Sequence, residues 1–333
     1  MQLFKKSIIL LSSFLICIYI SELVCSYFKF YADTFPVKIK SDKNLPYLME
    51  SNQLSKSAYK KTIFINKYGY RDSLSKQYFK DAYRIMVLGD SSTFGWGLNF
   101  EETYPYFLKN ELMKKNKKNI EVFNLGHPGF NLIEYHKLYL QTQKKIKPNL
   151  IVIGMNSNDY QTSKLNLFIK DGIAREYNSI WYKIRIPSAI LIKLRDSSLY
   201  LTIRNAYKNL KKILKSNSKL NYKIDQKAVN ESKEKIFSIL SKFGNIASEN
   251  KIPIYMVYWP VDIEIKNKTH MYPEFLNLLK NASNRYDNMI FYDIFNEFVN
   301  SKQEIYNKFD LVHPSKYGHI LIAKKLAESI QLN

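Results

Sequence analysis

The feature that most constrains the fold is an apolar run, Ile85–Leu88, that stops abruptly at Gly89-Asp90-Ser91. Four consecutive apolar residues followed by a turn are typical of a buried parallel strand at its carboxyl end, the edge where open α/β sheets bind ligands. Ser91 is therefore well placed to be a nucleophile. The same tripeptide is also common turn chemistry, because Gly permits positive φ and Asp and Ser side chains bond their own backbone. Partners elsewhere in the chain decide between these interpretations.

Apolar runs alternate with helix-like stretches through the rest of the chain, which is typical of βαβ units around a parallel sheet. The predicted strands are Ile85–Leu88, Ile120–Leu125, Leu150–Ile153, Ile252–Trp259 and Met289–Tyr292. The predicted helices are Pro105–Lys115, Leu132–Ile146, Ala228–Ala247, Pro273–Asn281 and Lys316–Ile330. We therefore expect an α/β fold, a three-layer α/β/α sandwich with a five-stranded, mainly parallel sheet.

The one strongly apolar segment of the sequence lies near the amino end. Lys5 and Lys6 precede the apolar run Ser7–Ile20, which resumes after Glu22. A positive flank before an apolar segment is typical of a signal peptide or a membrane anchor. Tolerating Glu22 near the interface extends the segment to Phe28, enough for the roughly 20 residues that a spanning helix needs. Because no A-x-A cleavage site follows, we expect an uncleaved single-pass anchor in a bacterial cell membrane, with the main domain extracytoplasmic; a cleaved signal is the alternative.

The predicted domain organisation has three parts, which are an anchor at 1–28, a spacer packing on the domain at 29–83, and a main domain at 84–333. The main domain contains a helical insertion at about 165–225, in which Ala189–Leu214 has an amphipathic helical pattern. The insertion is rich in basic and aromatic residues, among them Trp181, Tyr182, Lys183, Arg185, Arg195 and Arg204. It is either an ordinary packed insertion, or a cap or membrane-resting surface, because cationic amphipathic helices bind anionic interfaces.

The charge of the chain is strongly positive, with 51 Lys and Arg against 29 Asp and Glu and a formal net charge of +22. Such a surface attracts anions, including lipid headgroups, acidic glycans and nucleic acid. The basic residues are spread along the whole length and no recognised nucleic-acid module is present, so we expect no nucleic-acid partner. Cys17 and Cys25 both lie in the predicted anchor, which leaves the rest of the chain without a disulfide or a cysteine metal site.

An acid and an imidazole stand close together near the carboxyl end, where Asp310 and His313 precede a helix that Ser315 can cap. A serine nucleophile needs an adjacent base, and the base needs an orienting group. Pro314 favours an extended backbone at His313, so we expect the pair on a short stiff loop from which the imidazole reaches Ser91. The alternative is a turn capped by Asp310 beside a surface histidine. The remaining histidines lack an acid at this spacing and are expected to be structural; they are His127, His136, His270 and His319.

Two more strand ends offer hydrogen-bond donors. Gly129 follows the second predicted strand and can bring its backbone N–H against a substrate, and Asn158 follows the third and can donate a side-chain N–H. Such donors stabilise the negative charge that attack on an ester places on the carbonyl oxygen. Each feature taken alone is more often a turn than a site. Together they occupy successive strand ends on the same edge of the sheet as Ser91.

These blocks resemble, in order, type and spacing, those of the SGNH (GDSL-type) hydrolases. The resemblance covers about Asn66 to the carboxyl end, except for the middle insertion. The matching blocks are Gly89-Asp90-Ser91, Gly129, Asn158-Asp159, and Asp310 with His313. In the third block Asn156 and Asn158 both follow the glycine, and Asn158 is chosen because Asp159 follows it directly.

The resemblance implies a flavodoxin-like three-layer fold and a Ser-His-Asp triad made by Ser91, His313 and Asp310. It also implies an oxyanion hole made by the backbone N–H groups of Ser91 and Gly129 and the amide of Asn158. Neither a metal nor an organic cofactor is expected.

The leading hypothesis is a membrane-anchored serine esterase that cleaves an O-acyl ester, such as an O-acetyl group, from a glycan or lipid. The same site would also serve an O-acyltransferase that passes the acyl group to an envelope polysaccharide. A third hypothesis, from a different class, is an inactive scaffold that binds envelope glycan or lipid through its basic surface. The expected partners are thus an O-acylated substrate and the membrane.

Overall fold

The computed structural model describes residues 2–73, 81–116, 118–160, 162, 165, 167–176, 187–217, 226–307 and 310–332. The helices in these residues are α1 (Gln2–Phe28), α2 (Ser91–Phe94), α3 (Tyr104–Asn116), α4 (Leu132–Ile146), α5 (Ser188–Asp196), α6 (Ser198–Asn217), α7 (Gln226–Asn250), α8 (Asp262–Asn267), α9 (Pro273–Arg285), α10 (Phe295–Val299) and α11 (Lys316–Ser329). The strands are β1 (Ile39–Lys40), β2 (Leu48–Met49), β3 (Gln53–Lys56), β4 (Thr62–Ile65), β5 (Arg71–Asp72), β6 (Tyr83–Gly89), β7 (Ile120–Gly126), β8 (Leu150–Met155), β9 (Leu167–Lys170), β10 (Ile173–Glu176), β11 (Ile254–Tyr258), β12 (Met289–Asp293), β13 (Tyr306–Asn307) and β14 (Asp310–Pro314).

The central sheet has the strand order β12-β11-β8-β6-β7-β5-β4-β3. The five strands from β12 to β7 are parallel and correspond to the five predicted strands, which confirms the mainly parallel sheet. Three antiparallel strands, β5, β4 and β3, extend the sheet beyond β7. They come from the stretch expected to be a spacer, and they are only two to four residues long, so they lack the long apolar runs that reveal a central strand.

The sheet is covered on both faces, as expected for three layers. Successive residues of β6 point to opposite sides, because side chains alternate along a strand. Ile85 and Val87 pack in the apolar cluster that includes α3 and α11, whereas Met86 and Leu88 pack in the cluster that includes α4, α7 and α9. The carboxyl ends of the parallel strands are thereby held between two well-packed helix layers.

Helix α1 contains an apolar segment, Phe4–Phe28, of 25 residues, which is long and apolar enough to cross a membrane. A signal sequence has the same length and composition. Only 6% of its most apolar window is buried against the rest of the protein. The contacts that α1 does make are mainly with α6.

The insertion at about 165–225 is not wholly helical. Its described part begins with the antiparallel hairpin β9–β10, in which Lys170 pairs with Ile173 around Asp171-Gly172. Both turn residues have positive φ, 53° and 74°, and an Asp-Gly pair is a strong hairpin signal that the helical expectation overlooked. The amphipathic stretch then forms two helices, α5 and α6, divided at Ser197. Trp181, Tyr182, Lys183 and Arg185 lie outside the described residues.

Candidate active site

Ser91 lies at the carboxyl end of the central strand β6, on the first turn of the short helix α2. Asp90 caps this helix, because its Oδ1 accepts a hydrogen bond of 2.8 Å from the backbone N–H of Ser92. Gly95 ends the helix in the left-handed conformation, with φ 83°. The Ser91 residue is 8% exposed, so it faces a cavity rather than bulk solvent.

Helix α2 rests directly on the ends of strands β6 and β7. Gly89 and Gly126 are paired neighbours on these strands. A Cβ atom on Gly126 would overlap the backbone of Phe94, and one on Gly89 would overlap the side chain of Thr93. The two glycines therefore permit the close approach that fixes the height of Ser91 above the sheet.

His313 lies between Ser91 and Asp310. Its Nε2 atom is 2.8 Å from the Ser91 Oγ, and its Nδ1 atom is 2.8 Å from Asp310 Oδ2 and 2.9 Å from Oδ1. Burial acts to raise the pKa of the Asp310 carboxyl, but His313 and the backbone N–H groups of His313 and Val312 outweigh it and lower that pKa below its usual range. Asp310 is therefore ionised at neutral pH.

The segment that carries this pair is a strand and not the predicted loop. β14, Asp310–Pro314, pairs with β13 in an antiparallel ribbon. The extended backbone expected at His313 is present, and pairing with the neighbouring strand β13, only a few residues earlier in the chain, holds it. The predicted cap is confirmed, because the Ser315 side chain accepts a hydrogen bond from the Gly318 N–H at the start of α11.

Trp96 supports the imidazole from one side. The two rings are stacked, with centroids 5.1 Å apart and planes at 9°. The Trp96 indole N–H donates to the Asp33 carbonyl at 3.0 Å, and Phe35 stacks on the indole at 5.7 Å. Trp96 therefore restricts the rotation of His313, a function that the sequence analysis did not assign to it.

Asp90 joins the nucleophile turn to the loop after β8. Its Oδ2 accepts hydrogen bonds from the side-chain amides of Asn156, at 3.2 Å, and Asn158, at 3.1 Å. Asn156 is completely buried, whereas Asn158 is exposed. Asn158 does not line the cavity beside Ser91.

A cavity of about 510 Å³ opens beside the reacting groups. Its lining includes Ser91, His313, Trp96 and Gly129. Gly129 has φ 80°, a conformation that glycine adopts without strain. Of the predicted oxyanion donors, Ser91 and Gly129 therefore share a cavity with the imidazole, and Asn158 contacts the same turn through Asp90.

Arg71 is a buried arginine on β5, within the stretch expected to be a spacer. Its guanidinium donates to the carbonyl oxygens of Phe94, at 2.6 Å, and Gly95, at 2.7 Å, and to that of Leu98. Burial lowers the pKa of Arg71 to about 9, so it remains charged at neutral pH. Arg71 thus ties the end of α2 to β5, the strand beside β7 in the central sheet, and no signal in the sequence pointed to this function.

Three other histidines have polar partners other than Ser91. His319 accepts a hydrogen bond from the Tyr104 N–H, and burial lowers its pKa to about 3. His127 bonds the Leu125 carbonyl, and burial lowers its pKa to about 4. His270 is 3.1 Å from Asp293, an acid brought near by the fold rather than by sequence spacing. Across the described part of the chain, no group of three or more His, Cys, Asp or Glu side chains is arranged to hold a metal ion.

Comparison with protein families decides the relationship. The model of the GDSL-like lipase/acylhydrolase family matches residues 85–326. The chain belongs to this family. The match spans β6 to α11 and thus contains every residue of the predicted triad and oxyanion hole. The family is one of lipases and acylhydrolases, so the chain is a member of a hydrolase family.

Several solved structures are similar to the chain at low sequence identity. No curated protein matches the chain. Among solved structures, the psychrotrophic esterase EstA from Pseudoalteromonas sp. is 12% identical, with 74% of this chain and 96% of that chain covered and a TM-score of 0.41. TesA is 12% identical, with coverages of 74% and 98% and a TM-score of 0.44. AlinE4, an SGNH-hydrolase family esterase, is 16% identical, with coverages of 77% and 100% and a TM-score of 0.40.

Proposed function

We propose that the protein is a serine esterase that hydrolyses an O-acyl ester through Ser91, His313 and Asp310. The observation that carries the proposal is the pair of 2.8 Å contacts that join the Ser91 hydroxyl to one ring nitrogen of His313 and the other nitrogen to Asp310. Family membership supports the same chemistry. A serine hydroxyl at its ordinary pKa is a weak nucleophile, and this arrangement is the one that activates it.

In the proposed reaction, the Ser91 Oγ attacks the acyl carbon while its proton passes to His313 Nε2. Asp310 accepts the Nδ1–H of the ring and stabilises the imidazolium that forms. His313 then gives the proton to the departing alkoxide, which leaves an acyl group on Ser91. A water molecule, deprotonated by His313, then attacks this acyl-enzyme ester. The carboxylic acid is released, and the free serine is restored.

The developing oxyanion needs donors that are fixed before the reaction. We assign the backbone N–H groups of Ser91 and Gly129 and the side-chain amide of Asn158 to this role. An Asn amide carries two N–H bonds, so Asn158 can donate one to Asp90 and direct the other to the oxyanion. Each such donor contributes a factor of about 100 to 1,000 in rate in comparable enzymes.

We further propose that α1 is a retained membrane anchor with the hydrolase domain outside the cytoplasm. Its apolar segment has the length of a membrane span. A cleaved signal would remove Glu22, whose carboxylate accepts hydrogen bonds from the N–H groups of Ser198 and Leu199 at the start of α6. Retention of α1 is tested by the mass of the protein recovered from membranes.

The activity is tested by labelling the full chain in detergent with a fluorophosphonate, with intact mass as the measurement. Wild type should gain one adduct, and Ser91→Ala should gain none and lose ester hydrolysis by at least about 10⁴-fold. Ser92→Ala is the matched control, because Ser92 is the completely buried neighbour and should leave labelling intact. An adduct on Ser91→Ala, or none on folded wild type, would contradict the proposal.

A further inference from the structure

The cavity beside Ser91 extends beyond the reacting groups to the end of α1. Its far wall includes Tyr31, Arg195, Leu201 and Arg204. Tyr31 stands three residues after Phe28, the last residue of α1. Three residues of extended chain span at most about 10 Å. The cavity therefore reaches from the serine to the point where the apolar helix ends.

Glu22 fixes α1 to the wall of this cavity. Its carboxylate accepts hydrogen bonds from the backbone N–H of Ser198, at 2.6 Å, and of Leu199, at 2.9 Å, and from the Ser197 hydroxyl, at 2.8 Å. The first N–H groups of a helix have no partner within it, so Glu22 is an N-terminal cap supplied to α6 by another helix. This contact accounts for an acid inside an otherwise apolar run.

Further contacts hold α6 against the residues that directly follow α1. Asn205 donates its side-chain amide to the Phe30 carbonyl at 3.1 Å, and the Tyr31 and Ser198 hydroxyls are 2.8 Å apart. Leu201 packs against the buried ring of Tyr31. Helix α6 is thus held at the end of α1, which places this side of the cavity at the membrane surface when α1 lies in a bilayer.

Helix α6 carries three exposed apolar side chains. Ile203, Tyr207 and Leu210 are 60%, 63% and 54% exposed. Their spacing of four and three residues places them on one side of the helix. Exposed apolar side chains on a helix that contacts α1, in a chain with net charge +22, suit contact with an anionic lipid surface.

Two arginines give this end of the cavity a positive charge. Arg195, on α5, donates to the Ala174 carbonyl at 3.3 Å, which positions its guanidinium, and Arg204 comes from α6. Arginine binds phosphate and carboxylate groups in a fork geometry. The acid in the lining, Asp33, already accepts several short hydrogen bonds, from the Ser57 hydroxyl at 2.6 Å and the N–H groups of Thr34 and Tyr59 at 2.8 Å.

We propose that the substrate is an anionic amphiphile of the membrane surface, with its negatively charged group held by Arg195 and Arg204 and its ester at Ser91. Apolar residues between these ends, among them Val37, Leu167 and Leu201, provide a surface for the acyl chain. The inference rests on the proposed esterase function and on α1 lying in the membrane. It assigns specificity to residues of the insertion that the family blocks do not include.

The test uses the full chain reconstituted in vesicles of ether-linked phosphatidylcholine, which has no carboxylic ester bond. Phosphatidylglycerol and diacylglycerol with the same acyl chains are compared as substrates, with 4-nitrophenyl acetate as a soluble ester. Wild type should favour phosphatidylglycerol over diacylglycerol by at least about tenfold in kcat/KM, since a hydrogen bond to a charged group contributes at least this much. The double variant Arg195→Gln with Arg204→Gln should bring this ratio close to one.

Lys193→Gln is the matched control, because Lys193 is an exposed cation on α5 that does not line the cavity. It should keep the wild-type ratio. A wild-type ratio near one, or a ratio unchanged by the double variant, would overturn the inference. Dihexanoyl phosphatidylglycerol, presented as a soluble monomer, separates the two sources of anion, because equal rates on the monomer and the vesicle lipid would overturn the membrane part. Failure of the esterase proposal is distinct, since Ser91-dependent hydrolysis of 4-nitrophenyl acetate would then be absent.

Discussion

The two sides of the cavity are built in different ways. The side that holds Ser91 rests on the ends of buried strands, with α2 pressed on Gly126 and tied by Arg71. On the opposite side, formed by α5 and α6, the buried residues among those whose burial is described include Leu191, Ser198 and Leu201, and its links to the rest of the protein include polar contacts such as Glu22 with Ser198. The reacting groups thus lie on a closely packed part of the molecule, and the proposed specificity residues on two more exposed helices.

This difference has a physical reason. Catalysis requires atoms held within a fraction of an ångström, which close packing provides, because a packed core resists small displacements. Recognition of an amphiphile requires a large surface that is open to a membrane, which a closed core cannot offer. We therefore expect substitutions on the strand side to change kcat or folding, and those on the helical side to change substrate preference.

The largest effect is expected from Asp310→Asn. Asparagine keeps the shape but cannot stabilise the imidazolium, so kcat should fall about a thousandfold or more while the fold is retained. Ester hydrolysis and circular dichroism measure the two quantities. Asp293→Asn is the control, because Asp293 pairs with His270 outside the cavity and should change kcat little. A fall of less than tenfold for Asp310→Asn would remove Asp310 from the proposed triad.

Gly126→Ala tests how tightly the strand side is packed. The added methyl overlaps the Phe94 backbone, and such overpacking should lower the free energy of unfolding by about 3 kcal/mol. Gly69→Ala is the control for backbone strain alone, because Gly69 has φ 83° but its added methyl would stand 3.3 Å from the Met49 carbonyl oxygen. It should cost about 1 kcal/mol. Equal losses in thermal unfolding of the two variants would show that α2 is not pressed against the sheet.

The pH profile on a soluble ester tests the electrostatics of the strand side. A general base accepts a proton only in its unprotonated form, so kcat/KM should rise with pH if His313 is the base that serves Ser91. Because the pKa of Asp310 is lowered, its carboxylate stays ionised at neutral and mildly acidic pH. It therefore adds no second step to the pH profile. The acid limb should therefore rise about tenfold per pH unit, which corresponds to one proton. A flat profile would count against His313 as the base.

The smallest effect is expected on the helical side, from Glu22→Gln. The amide keeps an acceptor oxygen but loses the charge at the start of α6, which should cost about 1 kcal/mol of local stability. Hydrogen exchange at the Ser198 and Leu199 amides measures this change. Ser13→Ala, an exposed position on the same helix, should leave that exchange unaltered. Unchanged protection in Glu22→Gln would mean that α6 is held by other contacts.

Much of this site was predictable because its residues stand at the ends of strands whose apolar runs are unmistakable. Ser91, Gly129 and Asn158 follow three such runs, and parallel strands bring their carboxyl ends to one edge. Asp310 and His313 are close in sequence, so their pairing needed only local geometry. The roles of Arg71, Trp96 and Glu22 were not predicted from the sequence. Each of these side chains contacts a partner that is 23 or more residues away in the chain.

The sequence alone determined the layered α/β fold and the family, since hydrophobic periodicity and short polar blocks are local properties of the chain. The tertiary structure decided the rest. It added three antiparallel strands at one edge of the sheet, placed His313 within 2.8 Å of Ser91 across 222 positions, and capped α6 with an acid from α1. These arrangements depend on which distant surfaces pack together, and that is a property of the whole chain rather than of any segment.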